Sequence, residues 1–145
     1  MNVNYYGTHA SADKVHEVIE FVVMDIMPRL RDKLEINIHF ESNMLEDELI
    51  YADCVWEDSV RYPREFTIRV DADLPESELL PTIAHELVHV KQFARDELKY
   101  LPTRQIHRFH KSYYPDNTPE APWEIEAEQY EEQFKKTWLE GENND

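Results

Sequence analysis

The chain has 145 residues, of which 41% are hydrophobic and 12% aromatic, a composition typical of one folded domain. Its 31 acidic and 15 basic residues give a formal net charge of −16, and a surface this acidic repels phosphate, so nucleic acid is not expected as a partner. No apolar run reaches the roughly 20 residues of a membrane span, and no signal-peptide pattern opens the sequence. We therefore expect a cytoplasmic protein without a membrane partner.

The first half of the chain predicts one helix followed by three strands. Apolar residues recur at helical spacing from 11 to 27, and Pro28 bounds that segment. Residues 34–41 and 64–71 alternate apolar and polar side chains, which is typical of half-buried strands. Residues 49–56 predict a further strand, with apolar residues on both faces as in a central strand of a sheet.

The segment 79–100 predicts a helix that carries an H-E-x-x-H motif from His85 to His89. Its apolar side chains form one stripe, and the two histidines lie at roughly 140° and 180° from Leu80, on the opposite face. The four-residue spacing brings the Cβ atoms of the two histidines about 6 Å apart, so both imidazoles can bind one ion. Glu86 can reach a water on that ion. Two imidazoles suit zinc, and a catalytic zinc site needs one further protein ligand.

The remainder of the chain predicts an irregular segment over 101–122 and a last helix over 123–139. The irregular segment contains His107, His110, Tyr113 and Tyr114. The last helix begins with three alternate glutamates, Glu124, Glu126 and Glu128. The other glutamates near or on this helix are interpreted as a solvated acidic face: Glu120, Glu131 and Glu132. We expect a single domain over 1–145 with frayed ends at 1–10 and 141–145.

The H-E-x-x-H motif and the downstream glutamates together resemble zinc metallopeptidases of the gluzincin type. In that family a later helix supplies a zinc-binding glutamate, and a carboxylate one turn further along binds a ligand histidine. The resemblance implies that zinc is bound by His85, His89 and Glu124, and that Glu128 is the outer carboxylate. Glu126, on the other flank of the same apolar stripe, is the alternative ligand. Glu124 is preferred because it has a carboxylate one turn later on its own side.

More broadly, the sequence is similar to minimal single-domain metallopeptidases of bacteria and phages, and more loosely to SprT-like domains. The SprT-like pattern uses a third histidine, which makes His107 and His110 alternative ligands. In such folds the region before the glutamate helix faces the zinc, so a phenol of Tyr113 or Tyr114 could donate to the oxyanion formed on attack. The implied fold is a zincin-like α+β domain with an N-terminal helix and a small, mostly antiparallel sheet of three to four strands.

The resemblance implies a zinc-dependent peptidase with one Zn²⁺ per chain and Glu86 as the general base. An endopeptidase is favoured over an exopeptidase. A peptide or protein substrate would pair with residues 64–71, interpreted as the antiparallel edge strand of the sheet. Two alternatives remain: a zincin-like module that binds protein without catalysis, and a regulator-type zincin that cleaves one cognate protein.

Overall fold

The computed structural model of the chain describes residues 1–59 and 61–143, in two sheets and a set of packed helices. The seven strands are β1 (Asn2–Tyr6), β2 (Glu35–Glu41), β3 (Ala52–Trp56), β4 (Glu65–Asp71), β5 (Leu98–Leu101), β6 (Ile106–Phe109) and β7 (Ser112–Pro115). The five α-helices are α1 (Ala12–Ile26), α2 (Met44–Glu48), α3 (Glu76–Ala94), α4 (Pro122–Phe134) and α5 (Glu140–Asn143). A 3₁₀ segment, Pro28–Lys33, follows α1, and a π-helical segment, Lys135–Leu139, joins α4 to α5.

The main sheet is mixed, with strand order β1-β2-β4-β3. The pairs β1–β2 and β2–β4 are parallel, and only β3 runs antiparallel to its neighbour β4. The prediction of a mostly antiparallel sheet is therefore wrong, although the α+β class is confirmed. The physical reason is the connection: α1 carries the chain back across one face between β1 and β2, and such a crossover produces parallel neighbours.

The position of β4 within the sheet also corrects the prediction that residues 64–71 form an edge strand. Residues 65–71 pair with β2 on one side and with β3 on the other, so β4 has no free edge. The edge strand on this side of the sheet is β3. Its residues fall within the predicted strand 49–56, whose apolar content on both faces had suggested a central strand.

A second sheet of three antiparallel strands, β5, β6 and β7, replaces the end of the helix predicted over 79–100 and most of the segment predicted to be irregular. Helix α3 ends at Ala94, and β5 begins at Leu98. The strands of this sheet have only four residues each, too few for a clear alternating pattern. The residues that turn the chain are not glycine: Gln105 and His110 adopt φ values of 53° and 54°. Without glycine or Asn-Gly pairs, these turns carry little sequence signal.

The core lies between the main sheet and the helices on one of its faces. Helix α3 packs against β3, β4, α1 and α4, which makes it the central element of the fold. The alternating apolar residues of β2 and β4, such as Ile36, Ile38 and Ile68, are fully buried against these helices. The opposite face of the sheet is polar, and there Asn37 joins Asn4 to Glu65 by hydrogen bonds of 3.0 and 3.1 Å.

The predicted frayed start is also corrected, because residues 2–6 form β1 beside β2. The strand ends at Gly7, whose φ is +79° and where an added Cβ would lie 2.4 Å from the carbonyl oxygen of Phe40. At the other end, 141–143 belong to α5, and the rest of the predicted frayed tail lies outside the described residues. Among the described residues, no helix combines the length and apolar content needed to cross a bilayer.

Candidate metal centre

Helices α3 and α4 bring the motif histidines and one glutamate to a single point. Glu124 lies in the first turn of α4, which starts with Pro122, and the positive end of the helix dipole favours its carboxylate there. Its Oε2 lies 3.2 Å from His85 Nε2, and its Oε1 lies 2.9 Å from His89 Nε2. One ligand atom from each of the three residues lies within 4.8 Å of the others, so the group could hold a metal ion.

These separations agree with the size of a tetrahedral zinc site. Zinc bonds of about 2.0–2.1 Å place neighbouring ligand atoms about 3.3 Å apart. The two measured contacts from Glu124 are close to that value. The predicted meeting of two imidazoles from the middle of the chain with a carboxylate from near its end is therefore confirmed as a candidate metal site.

The orientation of His89 is fixed by a buried amide. Nδ1 of His89 lies 2.8 Å from Oε1 of Gln92, a side chain with no exposed surface. The amide nitrogen of Gln92 donates to the carbonyl oxygen of Trp123 at 3.0 Å and to Glu126 at 2.7 Å. Because both of these partners only accept, the amide oxygen must face His89, whose Nδ1 then carries the proton. The lone pair of Nε2 is left for a metal ion.

Glu126, the alternative ligand, therefore has a different place in the structure. Its carboxylate accepts a hydrogen bond from Gln92 and lies 3.2 Å from the ammonium group of Lys91. Glu126 contacts Gln92, the partner of His89, and is not part of the group that could hold the ion.

The outer carboxylate on His85 is Glu131. Nδ1 of His85 lies 2.9 Å from Oε1 of Glu131, and Lys135 lies 3.5 Å from the other oxygen of that carboxylate. The prediction had assigned this place to Glu128, which is exposed. A residue seven positions after Glu124 returns to within roughly 20° of it on an α-helix, whereas one four positions later is turned by roughly 40°. The Glu124–Glu131 spacing was thus the signal that could have found it.

Charge at the site is concentrated on Glu124. Its contact with His85, and then that with His89, holds the pKa of the carboxyl far below its usual range, although burial opposes the shift. Burial lowers the pKa of His85, but its contacts with Glu124 and Glu131 outweigh that effect and raise the pKa to about 10. The pocket of carboxylates therefore attracts positive charge, whether carried by a metal ion or by protons.

Glu86 differs from the other carboxylates of the site. It has 7% of its surface exposed, and burial raises its pKa. Among the described residues no group is hydrogen-bonded to its carboxylate, and its oxygens are not among the buried atoms that lack a partner. It points into the same cleft as His85, His89 and Glu124.

The cleft has a volume of about 540 Å³ and lies between β3, α3, α4 and the second sheet. Edge strand β3 contributes Ala52, Asp53 and Cys54 to one wall. Along α3, Thr82 and Phe93 line the cleft on either side of the two histidines. A second cavity of about 280 Å³ adjoins it and shares Tyr51, Thr82 and Glu131 as lining residues.

The other predicted candidates lie around the cleft or outside it. His107 lines the cleft, its ring stacked at 4.7 Å on Trp123, but it is not in the group that could hold a metal ion. Tyr114 packs edge-on against Trp123 at 5.7 Å, Tyr113 is 60% exposed, and His110 occupies the turn between β6 and β7. Neither tyrosine is among the described residues that line the cleft.

Comparison of the chain with known protein families, with curated protein sequences and with solved structures gave no match. The function is therefore inferred from the residues of the cleft.

Proposed function

We propose that the protein is a zinc-dependent endopeptidase in which Glu86 is the general base. The observation that carries the proposal is the matched orientation of the two imidazoles. Nδ1 of His85 faces the acceptor Glu131, and Nδ1 of His89 faces the acceptor Gln92. Both Nε2 atoms face the carboxylate of Glu124. A nearly buried carboxylate lies beside them in a cleft large enough for a peptide.

The donor set suits zinc. Two neutral imidazole nitrogens and one carboxylate oxygen form the ligand set of a known class of catalytic zinc sites, which leaves the fourth position open. When bound, zinc would supply a Lewis acid for a peptide carbonyl and would lower the pKa of a water ligand towards neutrality. The acceptors on Nδ1 of His85 and His89 would hold both rings in the tautomer that binds metal.

Glu86 moves the proton in the proposed reaction. Its carboxylate takes a proton from the attacking water while the water oxygen bonds to the carbonyl carbon. It then gives that proton to the amine nitrogen as the C–N bond breaks. Burial raises the pKa of Glu86, which makes its carboxylate a better acceptor and lets it pass the proton on.

The substrate in this proposal is an extended peptide paired with the free edge of β3. This strand replaces residues 64–71 as the candidate, since β4 is paired on both sides. An edge strand offers unpaired N–H and C=O groups for strand addition, and β3 forms a wall of the cleft. The cleft extends past the histidines towards both Thr82 and Phe93, which favours cleavage within a chain over removal of terminal residues.

The test combines metal analysis with one isosteric variant. Wild-type protein loaded with zinc should bind one ion per chain and hydrolyse unfolded casein. Glu86→Gln should retain the zinc and lose hydrolysis by at least about 100-fold, because general-base catalysis contributes about that much. Unchanged hydrolysis in Glu86→Gln would contradict the assignment of the base.

The same measurements separate the two alternatives. A protein that binds no zinc at neutral pH would be a zincin-like binding module and not an enzyme. A protein that binds zinc stoichiometrically but leaves casein intact would fit a regulator-type zincin with one cognate substrate.

A further inference from the structure

Four exposed apolar side chains follow one another where α2 leads into β3. Leu45 lies in α2 and Leu49 directly follows its last residue, with 38% and 82% of their surfaces exposed. Ile50 and Tyr51 follow directly, at 38% and 50% exposure. We refer to Leu45, Leu49, Ile50 and Tyr51 as the apolar rim.

The backbone that presents the apolar rim is anchored to β4. The N–H of Leu45 donates to the carboxylate of Asp71 at 3.1 Å, and the N–H of Asp71 donates to the carbonyl oxygen of Tyr51 at 2.8 Å. On the same segment, Glu48 lies 3.1 Å from the guanidinium of Arg69. The rim is therefore held outward by specific contacts on both of its sides, as a docking surface needs to be.

Leu49 is placed where folding alone gives no reason for a leucine. Its φ is 61°, in the left-handed region that asparagine and glycine adopt at lower cost. With 82% of its surface exposed, it gains almost nothing from burial in the folded chain. A strained backbone and an exposed apolar side chain at one position point to a contact made with another molecule.

The apolar rim is continuous with the candidate peptide site. Ile50 and Tyr51 belong to the rim and also line the cleft, directly before the β3 residues that form its wall. A polypeptide paired along β3 would therefore cross the rim as it leaves the cleft. Glu46 and Asp47 stand beside the rim on α2, exposed and without an ion-pair partner among the described residues, so basic residues in that polypeptide would be favoured.

We propose that the apolar rim is a docking surface for the protein substrate, outside the reacting bond. The occupant is an extended segment of that substrate with large apolar side chains flanked by lysine or arginine. The inference rests on the proposed function for the identity of the occupant, but its test does not require hydrolysis. It implies that the protein selects its substrates partly by residues that are not at the scissile bond.

The first measurement is binding to zinc-loaded Glu86→Gln protein, which holds substrate without cutting it. The probes are fluorescent peptides of about 12 residues, long enough to pair with β3 and cross the rim. One alternates leucine with lysine, one replaces the leucines by serine, and one replaces the lysines by glutamate. The leucine–lysine peptide should bind most tightly.

Adding Leu49→Asn should weaken binding of the leucine–lysine peptide about tenfold, because burial of a leucine side chain is worth at least that factor. Asparagine suits the left-handed backbone, so the fold should be kept. Met24→Gln is the matched control, since Met24 is 52% exposed on α1 and is not among the residues lining the cleft. Equal binding with and without Leu49→Asn, or an equal loss in Met24→Gln, would overturn the inference.

The second measurement compares long and short substrates in the wild-type background. Hexapeptides are made for each site at which casein is cut, and Leu49→Asn should reduce kcat/KM for casein about tenfold more than for the hexapeptides, chiefly through KM. Leu49-dependent peptide binding without any hydrolysis would leave the docking surface standing and remove the proposed function. If casein and the hexapeptides are both hydrolysed and Leu49→Asn reduces kcat/KM equally for both, the proposed function stands and the docking surface is overturned.

Discussion

The two histidines of the candidate metal centre are held by different kinds of partner. Nδ1 of His85 lies 2.9 Å from the carboxylate of Glu131, whose side chain is 25% exposed and lies beside Lys135. Nδ1 of His89 lies 2.8 Å from the amide of Gln92, which has no exposed surface. One support is therefore a charge near solvent, and the other is a neutral group in the interior.

The difference follows from the cost of burying charge. A carboxylate in the place of Gln92 would have to be ionised without water, whereas the amide costs little as long as all its hydrogen bonds are made. Its two acceptors, the carbonyl of Trp123 and the carboxylate of Glu126, still impose one orientation. We therefore expect the interior support to matter for folding and metal binding together, and the solvent-side support to matter mainly for metal binding.

The largest effect is expected for Glu124, the residue that both histidines contact. Glu124→Gln keeps the size of the side chain but replaces the carboxylate whose two oxygens each face one of the Nε2 atoms. Zinc affinity should fall by more than the roughly 10–100-fold that loss of an outer partner costs. Competition titration against a zinc chelator measures it, with exposed Glu128→Gln as the control. A Glu124→Gln protein within tenfold of the wild-type affinity would show that the third ligand has been assigned wrongly.

A smaller but double effect is expected for Gln92→Leu. The change leaves Nδ1 of His89 without its acceptor and removes one hydrogen bond each from the carbonyl of Trp123 and from the carboxylate of Glu126, which keeps Lys91. The expected cost is about 1–3 kcal/mol in the free energy of unfolding. Zinc affinity should fall about 10–100-fold as well, since the tautomer of His89 is no longer imposed. Denaturant unfolding and the chelator titration test the two parts separately. Lost stability with unchanged zinc affinity would reduce Gln92 to a packing residue.

Sequence periodicity and the family resemblance were sufficient to predict the three candidate metal ligands, but not the residues that hold the two histidines. A helical repeat places His85 and His89 on one face, and the resemblance supplied Glu124 as their partner. The seven-residue spacing places Glu131 on the same face of α4 as Glu124, but whether it reaches His85 depends on how α4 crosses α3. Glu131 was accordingly interpreted as solvated, and Gln92, which lies at a flank of the apolar stripe, was not considered.

The sheet shows the same limit at a larger scale. Alternating side chains located β2 and β4 to within a residue or two, because alternation is a property of one strand alone. Which strands pair, and in which direction, depends on β1 and on the crossover through α1. The edge strand was misplaced by one position for this reason: β4 has the clearer pattern, but β3 has the free edge.

The solvent-side support gives the next prediction in size. Glu131→Gln retains an acceptor for Nδ1 of His85 but removes the negative charge, so zinc affinity should fall about tenfold, near the lower limit for an outer partner. The free energy of unfolding should fall by no more than about 1 kcal/mol, because the side chain is partly exposed and ion pairs there contribute little. Glu128→Gln, three residues earlier on the same helix, should leave affinity unchanged. Equal losses in the two variants would mean only that α4 tolerates no loss of negative charge.

The smallest effect concerns the pH dependence of the metal-free protein. The folded pKa of His85 is raised above its ordinary 6.5 to about 10, because Glu124 and Glu131 outweigh burial. A group raised in this way stabilises the fold fully below pH 6.5 and loses that contribution as pH rises towards 10. Glu131→Gln removes one of the two carboxylates and so lowers the folded pKa of His85. Its Tm should therefore lie a few degrees below that of the wild type at pH 6 to 7, and the difference should shrink as pH rises towards 10. Thermal unfolding in chelator from pH 6 to 10 measures it, and superimposable curves for the two proteins would mean that Glu131 does not act on His85 through its charge.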